Sequence, residues 1–193
     1  TTNDITDTWS SVKSIALDQD QSAPYAKPGN WNDPDMLVVG HVGWGNPHPS
    51  KLKPDEQYLH ISLWSLFAAP LLIGCDMEKL DEFTLNLLTN DEVIDVNQDP
   101  LGKQATCLQT IGDLRIYVKE LEDGSRAVGF CNFGLDVVDI SYKDFAKLGL
   151  NGQFTVRDLW RQKDISKVNT QTGDLKIKVP VHGVVLYKFS QVK

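Results

Sequence analysis

The chain has 193 residues, of which 41% are hydrophobic and 23% are charged, and its formal net charge is −7. This composition is typical of a folded globular protein, and the length allows one large domain or two small ones. The acidic balance, without any basic stripe, argues against a nucleic-acid partner. No apolar run approaches the ~20 residues that cross a bilayer, so we expect no membrane partner.

The first 100 residues alternate between helical and strand-like patterns. Thr8 or Asp7 can cap a first helix, and Pro54, followed by two acidic residues, begins a second. Pro70 ends the second helix, and residues 71–74 form a short apolar run that predicts a buried strand of a parallel sheet. Such alternation of helices and strands is typical of a parallel sheet or barrel.

From Thr106 onward the pattern is that of antiparallel β structure. Apolar and polar residues alternate over 114–119, and Asp123-Gly124 is a hairpin turn signal. Further strands are predicted at 127–133, 137–138, 154–156, 175–179 and 184–187. Six or more short strands over ~85 residues favour a β-sandwich. The predicted domains are therefore 1–102 and 103–193.

The cysteines and histidines offer no obvious metal site. Cys75, Cys107 and Cys131 lack metal-ligand spacing. Cys107 and Cys131 can pair if they lie on neighbouring strands, although buried free thiols are the favoured interpretation. His41 and His48 share a loop rich in Gly and Pro, but no third ligand is spaced to help them. We expect neither a metal nor another cofactor.

The run from Trp31 to Met36 places an indole, two carboxylates and a thioether around one proline. Pro34 fixes its own φ and favours an extended conformation for Asp33. Asp35 and Met36 then follow as a rigid pair where a strand ends. An aromatic face beside carboxylate acceptors suits a sugar ring, whose C–H faces stack on indole and whose hydroxyls donate hydrogen bonds. A simple turn is the alternative, since Asn, Asp and Pro are common turn residues.

Four stretches together carry a resemblance to a known family. They are DITDTW at 4–9, WNDPDML at 31–37, AAPL at 68–71 and DEVIDVNQDPLGKQ at 91–104. In this order and spacing they resemble the retaining α-galactosidases of glycoside hydrolase family 27. The resemblance implies an α/β plus all-β fold, a (β/α)₈ TIM barrel followed by an antiparallel β-sandwich. Residues 1–102 would supply the C-terminal three βα units of the barrel.

The resemblance also implies roles for individual residues. Asp4 matches the family's general acid/base, Asp35 matches an aspartate that hydrogen-bonds sugar hydroxyls, and Met36 lines the same pocket. Trp31 would support that loop or contact the sugar. The family's nucleophile is an aspartate in a tyrosine-lysine-tyrosine-aspartate-like motif on the fourth strand, and this chain has no such motif. The residues that read the substituent at C2 of the sugar also belong to a part of the barrel outside this chain.

Asp4 and Asp76 have competing structural interpretations. An Asp shortly before a helix often caps it, so a capping role is the alternative for Asp4. If Asp7 or Thr8 caps the helix instead, Asp4 is free for chemistry. Asp76 follows a predicted strand, as Asp35 does, but we expect its role to be structural.

The expected function is an exo-acting retaining glycosidase that hydrolyses terminal α-galactosides by double displacement. Two other activities of the same family, α-N-acetylgalactosaminidase and β-L-arabinopyranosidase, are alternatives. A non-catalytic carbohydrate-binding or structural fragment is a third, although the β half shows no exposed aromatic row. The expected partners are an oligosaccharide or glycoconjugate with a terminal α-galactoside and the N-terminal barrel segment. The chain alone is predicted to be inactive, because three strands cannot close an eight-stranded barrel. The resemblance favours a secreted or periplasmic location.

Overall fold

The computed structural model describes residues 3–43 and 45–192. Its α-helices all lie in the first half of the described chain. They are α1 (Trp9–Ser22), α2 (Pro54–Leu66), α3 (Glu82–Leu88) and α4 (Asp91–Asn97). Short 3₁₀ helices occur at Ala23–Tyr25, Met77–Lys79 and Phe145–Leu148.

The starts of α1 and α2 follow the predicted capping chemistry. Thr8 is the N-cap of α1, and its side chain accepts the N–H of Ser11 at 3.4 Å. Pro54 occupies the first position of α2, where its missing N–H costs nothing. The backbone N–H of Lys53 donates to the carboxylate of Glu56 at 2.8 Å, which satisfies another free donor at this helix start.

One parallel strand pairing is present in the first half, as predicted. The N–H of Leu37 donates to the carbonyl of Leu72 at 2.8 Å, and the N–H of Gly74 donates to the carbonyl of Leu37 at 3.1 Å. The prediction that this run is buried was wrong, because Leu72 is 53% exposed and Ile73 is 48% exposed. Among the described residues, only Leu37 bridges to this segment, so nothing in that part of the chain covers its other side.

The strands form three antiparallel sheets. A small hairpin pairs β1 (His41–Val42) with β2 (His48–Pro49). The remaining strands are β3 (Thr106–Ile111), β4 (Leu114–Glu120), β5 (Arg126–Asn132), β6 (Val138–Tyr142), β7 (Gln153–Asp158), β8 (Lys163–Asn169), β9 (Leu175–Val179) and β10 (Val184–Gln191). A six-stranded sheet has the order β3-β4-β5-β10-β7-β8, and β6 pairs with β9 in a two-stranded sheet.

The strands predicted at 114–119, 127–133, 137–138, 154–156, 175–179 and 184–187 are present, whereas β3 was not predicted separately and β8 was missed. It pairs only with β7 at the edge of the six-stranded sheet. Val168 is its one buried residue among the seven of the strand. An edge strand of this kind lacks the alternation of apolar and polar residues by which strands are recognised.

One hydrophobic core cluster includes residues of both halves of the chain, and a second cluster lies within residues 114–189. Helix α2 packs on the six-stranded sheet, where a Cβ added to Gly129 would lie 2.6 Å from Cδ1 of Leu66. The indole N–H of Trp160 donates to the hydroxyl of Ser62 at 2.8 Å. Trp64 and Phe67 are 0% and 1% exposed, which confirms that they are core residues.

Cys75, Cys107 and Cys131 are free thiols, and of the Cys107 and Cys131 pair only Cys131 is buried as predicted, since Cys107 is half-buried. Cys131 lies on β5 and is fully buried, and this burial raises the pKa of its thiol. Its cross-strand partner on β4 is Arg115 and not Cys107.

The described residues contain no helix that is long and apolar enough to span a membrane. They also contain no group of three or more His, Cys, Asp or Glu side chains arranged to hold a metal ion.

Candidate active site

Asp4 lies on the short segment of residues 3–8 that precedes α1, and Ile5 anchors this Asp4 segment. Ile5 is 5% exposed, and its N–H donates to Oδ2 of Asp35 at 2.8 Å. Asp4 itself is exposed, and no described residue hydrogen-bonds to its carboxylate. Because Thr8 caps α1, Asp4 does not serve as the cap. Its carboxylate is therefore available for another role.

Asp35 is held in a left-handed backbone conformation, with φ at 73°. Such a conformation is uncommon for a residue with a side chain and persists where its surroundings determine it. Its N–H donates to Oδ1 of Asp33 at 2.9 Å, and its carbonyl accepts the indole N–H of Trp64 at 2.7 Å. Its Oδ1 accepts the N–H of Met36 at 2.7 Å. Each carboxylate oxygen has two lone pairs, so both can accept a further hydrogen bond from a ligand.

Met36 reaches across to the neighbouring segment at Gly74. A Cβ at Gly74 would lie 2.6 Å from Sδ of Met36 and 2.7 Å from the carbonyl oxygen of Leu37. Only glycine fits at this position without displacing the thioether. The structure therefore brings Met36 beside Asp35 and fixes its side chain by close packing.

Trp31 lies elsewhere. Its ring packs on Gly102, where an added Cβ would lie 2.5 Å from Cη2 of Trp31 and 3.1 Å from Cγ of Pro28. It is 45% exposed and borders a cleft of about 360 Å³ that Asp35 does not line. Four residues of extended chain span up to ~13 Å, which accounts for this separation. The structure thus places Asp35 and Met36 beside the Asp4 segment and Trp31 at the junction with the β half.

Asp7 makes contacts that the sequence did not suggest. Its Oδ2 accepts Nε2–H of His48 at 3.0 Å and the backbone N–H of Lys51 at 3.1 Å. Its Oδ1 lies 3.3 Å from Nζ of Lys51. The partners are 41 and 44 positions away, and no spacing rule connects them. The resemblance over 4–9 was the one signal that singled out this segment.

The Asp7–His48 pair has complementary pKa shifts. Partial desolvation acts to raise the pKa of Asp7, but hydrogen bonds from Lys51 and His48 outweigh it and hold that pKa below its usual value. The hydrogen bond to the carbonyl of Asn46, followed by the bond to Asp7, raises the pKa of His48. Both shifts favour the charged forms, so the contact is an ion pair when His48 is protonated.

The β1–β2 hairpin borders a second cleft. The N–H of Asp76 donates to the carbonyl of His41 at 2.8 Å, which ties the hairpin to the segment after Gly74. His41, Gly43 and Pro47 lie on one side of this cleft of about 260 Å³, and Gly74 and Asp76 lie on the other. These loops follow the paired parallel segments, and barrel active sites gather at that end of the strands.

Asp76 caps the 3₁₀ helix at Met77–Lys79. Its Oδ1 accepts the N–H of Glu78 at 3.0 Å, and its Oδ2 lies 3.5 Å from Nζ of Lys79. These contacts are those of the structural role that we expected for Asp76.

Two family models match successive parts of the chain. Residues 1–99 match the family model described as alpha galactosidase A, and residues 111–189 match the alpha galactosidase C-terminal beta sandwich domain. Alpha-galactosidase 2 of Arabidopsis thaliana is 40% identical over 195 aligned positions, which cover 100% of this chain and 46% of that protein. The alpha-galactosidase of Cyamopsis tetragonoloba is 38% identical, with coverage of 97% and 43%.

A solved structure supports the same assignment. The GH27 β-L-arabinopyranosidase of Geobacillus stearothermophilus superposes with a TM-score of 0.88 at 29% identity, covering 99% of this chain and 44% of that one. The chain thus spans less than half the length of each of these three relatives. The predicted fold class is confirmed: part of a TIM barrel followed by an antiparallel β-sandwich. The chain belongs to glycoside hydrolase family 27, the family of the α-galactosidases, and corresponds to its C-terminal portion.

Proposed function

We propose that the protein carrying this chain is an exo-acting retaining glycosidase that hydrolyses terminal α-galactosides, with Asp4 as its acid/base. The main support is the environment of Asp4, an exposed carboxylate without a structural partner among the described residues. Its segment is anchored by the bond from Ile5 to Asp35. The relatives named above are α-galactosidases, which supports the choice of substrate class.

Double displacement gives Asp4 two successive tasks. Asp4 first donates a proton to the glycosidic oxygen as a carboxylate outside this chain attacks the anomeric carbon, and the leaving group departs. Asp4 then accepts a proton from the water that attacks the glycosyl-enzyme, which releases the sugar with its configuration retained. A proton carrier of this kind must be open to the reacting oxygen, as the exposed Asp4 is.

Asp35 and Met36 would bind the sugar that Asp4 helps to release. The two oxygens of Asp35 can each accept a sugar hydroxyl in addition to the backbone N–H that they already hold. The thioether of Met36 offers an apolar contact for the C–H face of the ring. For Trp31 we propose the supporting role, because its ring packs on Gly102 at the junction of the two halves.

The apolar edge at Leu72 and Ile73 is the place where we propose that the N-terminal barrel segment binds. These side chains are 53% and 48% exposed, beside a segment paired on one side within the described residues. Burying apolar side chains of this size stabilises by about 1.5–3 kcal/mol each. Without that segment we expect no hydrolysis, since the nucleophile is also outside this chain.

A β-L-arabinopyranosidase is the second candidate, favoured by the superposition on the enzyme of that name. β-L-arabinopyranose has the ring configuration of α-galactose but lacks its exocyclic CH₂OH group. The pairing of Asp35 and Met36 therefore suits both sugars. Comparing kcat/KM on p-nitrophenyl α-galactoside and p-nitrophenyl β-L-arabinopyranoside separates the two candidates.

Replacing Asp4 tests the proposed role. In the full-length protein, Asp4→Ala should depress turnover most for substrates with poor leaving groups, which depend on protonation. Added azide should partly restore breakdown of the glycosyl-enzyme. Asp18→Ala is the matched control, because Asp18 is an exposed aspartate within α1. Equal loss on every substrate, with no response to azide, would refute the assignment.

A further inference from the structure

The buried carboxylate of Asp7 connects the β1–β2 hairpin to the Asp4 segment. The side chain of Asp7 is 11% exposed, lies three positions after Asp4, and accepts hydrogen bonds from both His48 and Lys51. The hairpin itself is short, with two paired positions, His41 with Pro49 and Val42 with His48. Asp7 therefore holds the returning strand β2, while β1 is held by the buried side chain of Val42 and by the bond from Asp76 to His41.

His48 can hold the hairpin at two points only when both its ring nitrogens carry protons. Nδ1 lies 2.9 Å from the carbonyl oxygen of Asn46, and Nε2 lies 3.0 Å from Oδ2 of Asp7. Both partners are acceptors, and a neutral imidazole has a single N–H to donate. The other charged group at this contact is Lys51, which also pairs with Asp7.

The position of the hairpin determines what it would contact. An acid/base must reach the oxygen between the released sugar and the leaving group. A loop that adjoins the segment carrying the acid/base therefore borders the leaving group. The hairpin adjoins the Asp4 segment through Asp7 and borders the cleft of about 260 Å³ facing Gly74 and Asp76. That cleft includes the polar side chains of His41 and Asp76, which suit a saccharide leaving group better than a plain aryl group.

We propose that the paired strands β1 and β2 form a wall of the leaving-group site, and that Asp7 and His48 are positioning residues that fasten this wall to the Asp4 segment. The ligand class is the saccharide to which the terminal sugar is attached. The inference rests on the proposed role of Asp4 and adds a specificity element to the same site.

The first experiment examines the coupling itself and needs no activity. The ring protons of His48 are followed by NMR as a function of pH in the full-length protein and in Asp7→Asn. Removing the negative charge should lower the pKa of His48, because the bond to Asp7 helps to raise it. An unchanged His48 titration in Asp7→Asn would overturn the proposed fastening.

The second experiment separates binding of the leaving group from chemistry. For His48→Ala, KM for an α-galactosyl disaccharide should rise about tenfold, the scale expected for a lost charge-assisted hydrogen bond. The kcat for p-nitrophenyl α-galactoside should stay near the parent value. In the parent protein, KM for the disaccharide should rise with pH as His48 loses its proton, and this dependence should be absent in His48→Ala.

His182→Ala is the matched control for the second experiment. His182 pairs with Glu56 at 2.7 Å, a histidine–carboxylate contact outside the hairpin, and its ring stacks on Trp9 at the start of α1. Its loss should change thermal stability and leave KM unchanged for both substrates. An equal rise of KM on both substrates in His48→Ala, or a change in thermal stability alone, would overturn the proposed wall. Failure of the Asp4→Ala leaving-group test would instead refute the acid/base role, while the NMR result on His48 would still stand.

Discussion

The carboxylate of Asp35 accepts the N–H of Ile5 at 2.8 Å and thereby fixes the residue that directly follows Asp4. The two carboxylates are 31 positions apart in the sequence, yet one anchors the backbone of the other's segment. Asp35 therefore has two potential roles, as an acceptor for a ligand and as a support for Asp4. Substitutions at Asp35 can separate them.

Asp35→Asn should reduce catalysis and should lower the free energy of unfolding less than Asp35→Ala does, because the Asn amide keeps one of the two oxygens that accept the N–H groups of Ile5 and Met36. Asn keeps the size of the side chain, tolerates the positive φ of 73° and retains one oxygen acceptor. It loses the charge, and a hydrogen bond to a charged group is worth about 1.5–3 kcal/mol, or roughly 10- to 100-fold in kcat/KM. Steady-state kinetics of the full-length protein measures this, with Asp18→Asn as the control. A parent-like kcat/KM would contradict a ligand-binding role for Asp35.

Asp35→Ala should lower the free energy of unfolding further. The N–H groups of Ile5 and Met36 both lose their acceptor, and Ala adopts the positive φ of this position less readily than Asp does. The difference in melting temperature between Asp35→Ala and Asp35→Asn measures the support from the acceptor oxygen that Asn retains. Equal melting temperatures would show that this support is negligible.

Lys119 allows a prediction about stability and pH. It is 0% exposed on β4, and its Nζ donates to the carbonyl of Ser65 at 3.3 Å. Burial lowers its pKa from 10.5 to about 8, and the more distant charge of Asp99 opposes this only in part. The unfolded chain thus binds more protons at this site between about pH 8 and 10.5, so the free energy of unfolding rises with pH across that window.

Lys119→Met should therefore stabilise the protein near pH 7 by up to about 3 kcal/mol, the equivalent of the lowered pKa. The carbonyl of Ser65 retains the N–H of Ala68 as a donor, so it is not left unpaired. Urea unfolding near pH 7 and near pH 10 should show the gain shrinking at the higher pH. Lys176→Met, at an exposed position on β9, should show no such pH-dependent gain. A Lys119→Met protein less stable than its parent near pH 7 would contradict the argument.

Local chemistry in the sequence was enough for the helices and most strands. Pro54 and the acidic residues after it marked the start of α2, and alternation marked β4. Strand β8 was missed because only Val168 of its seven residues is buried, so no alternation of apolar and polar residues marks it. The periodicity of apolar and polar residues indicates which side chains are buried, but it does not identify the elements that bury them.

The residues of the site were likewise predictable only where a local sequence motif marked them. The carboxylates Asp4 and Asp35 were singled out by motifs within short segments of sequence. The contact of Asp7 with His48 depends on how a loop folds back over 41 positions, and neither residue has a local pattern that reveals it. The apolar run at Leu72 and Ile73 indicates burial whatever covers it, and their exposure follows only from the incomplete barrel, whose three strands should leave an apolar sheet edge exposed.

The shared core predicts that residues 106–193 do not fold cooperatively alone. Tyr117, Cys131 and Leu186 are each 0% exposed in the core cluster that includes residues of α2, and cutting the chain before β3 uncovers them. Exposing a large buried apolar side chain costs about 1.5–3 kcal/mol, so exposing these three costs several kcal/mol. The free energy of unfolding of a whole domain is only about 5–15 kcal/mol. Urea unfolding of 106–193 should be broad beside that of the 193-residue chain, and calorimetry with galactosides should be silent. A sharp transition together with measurable sugar binding would instead favour an independent carbohydrate-binding module.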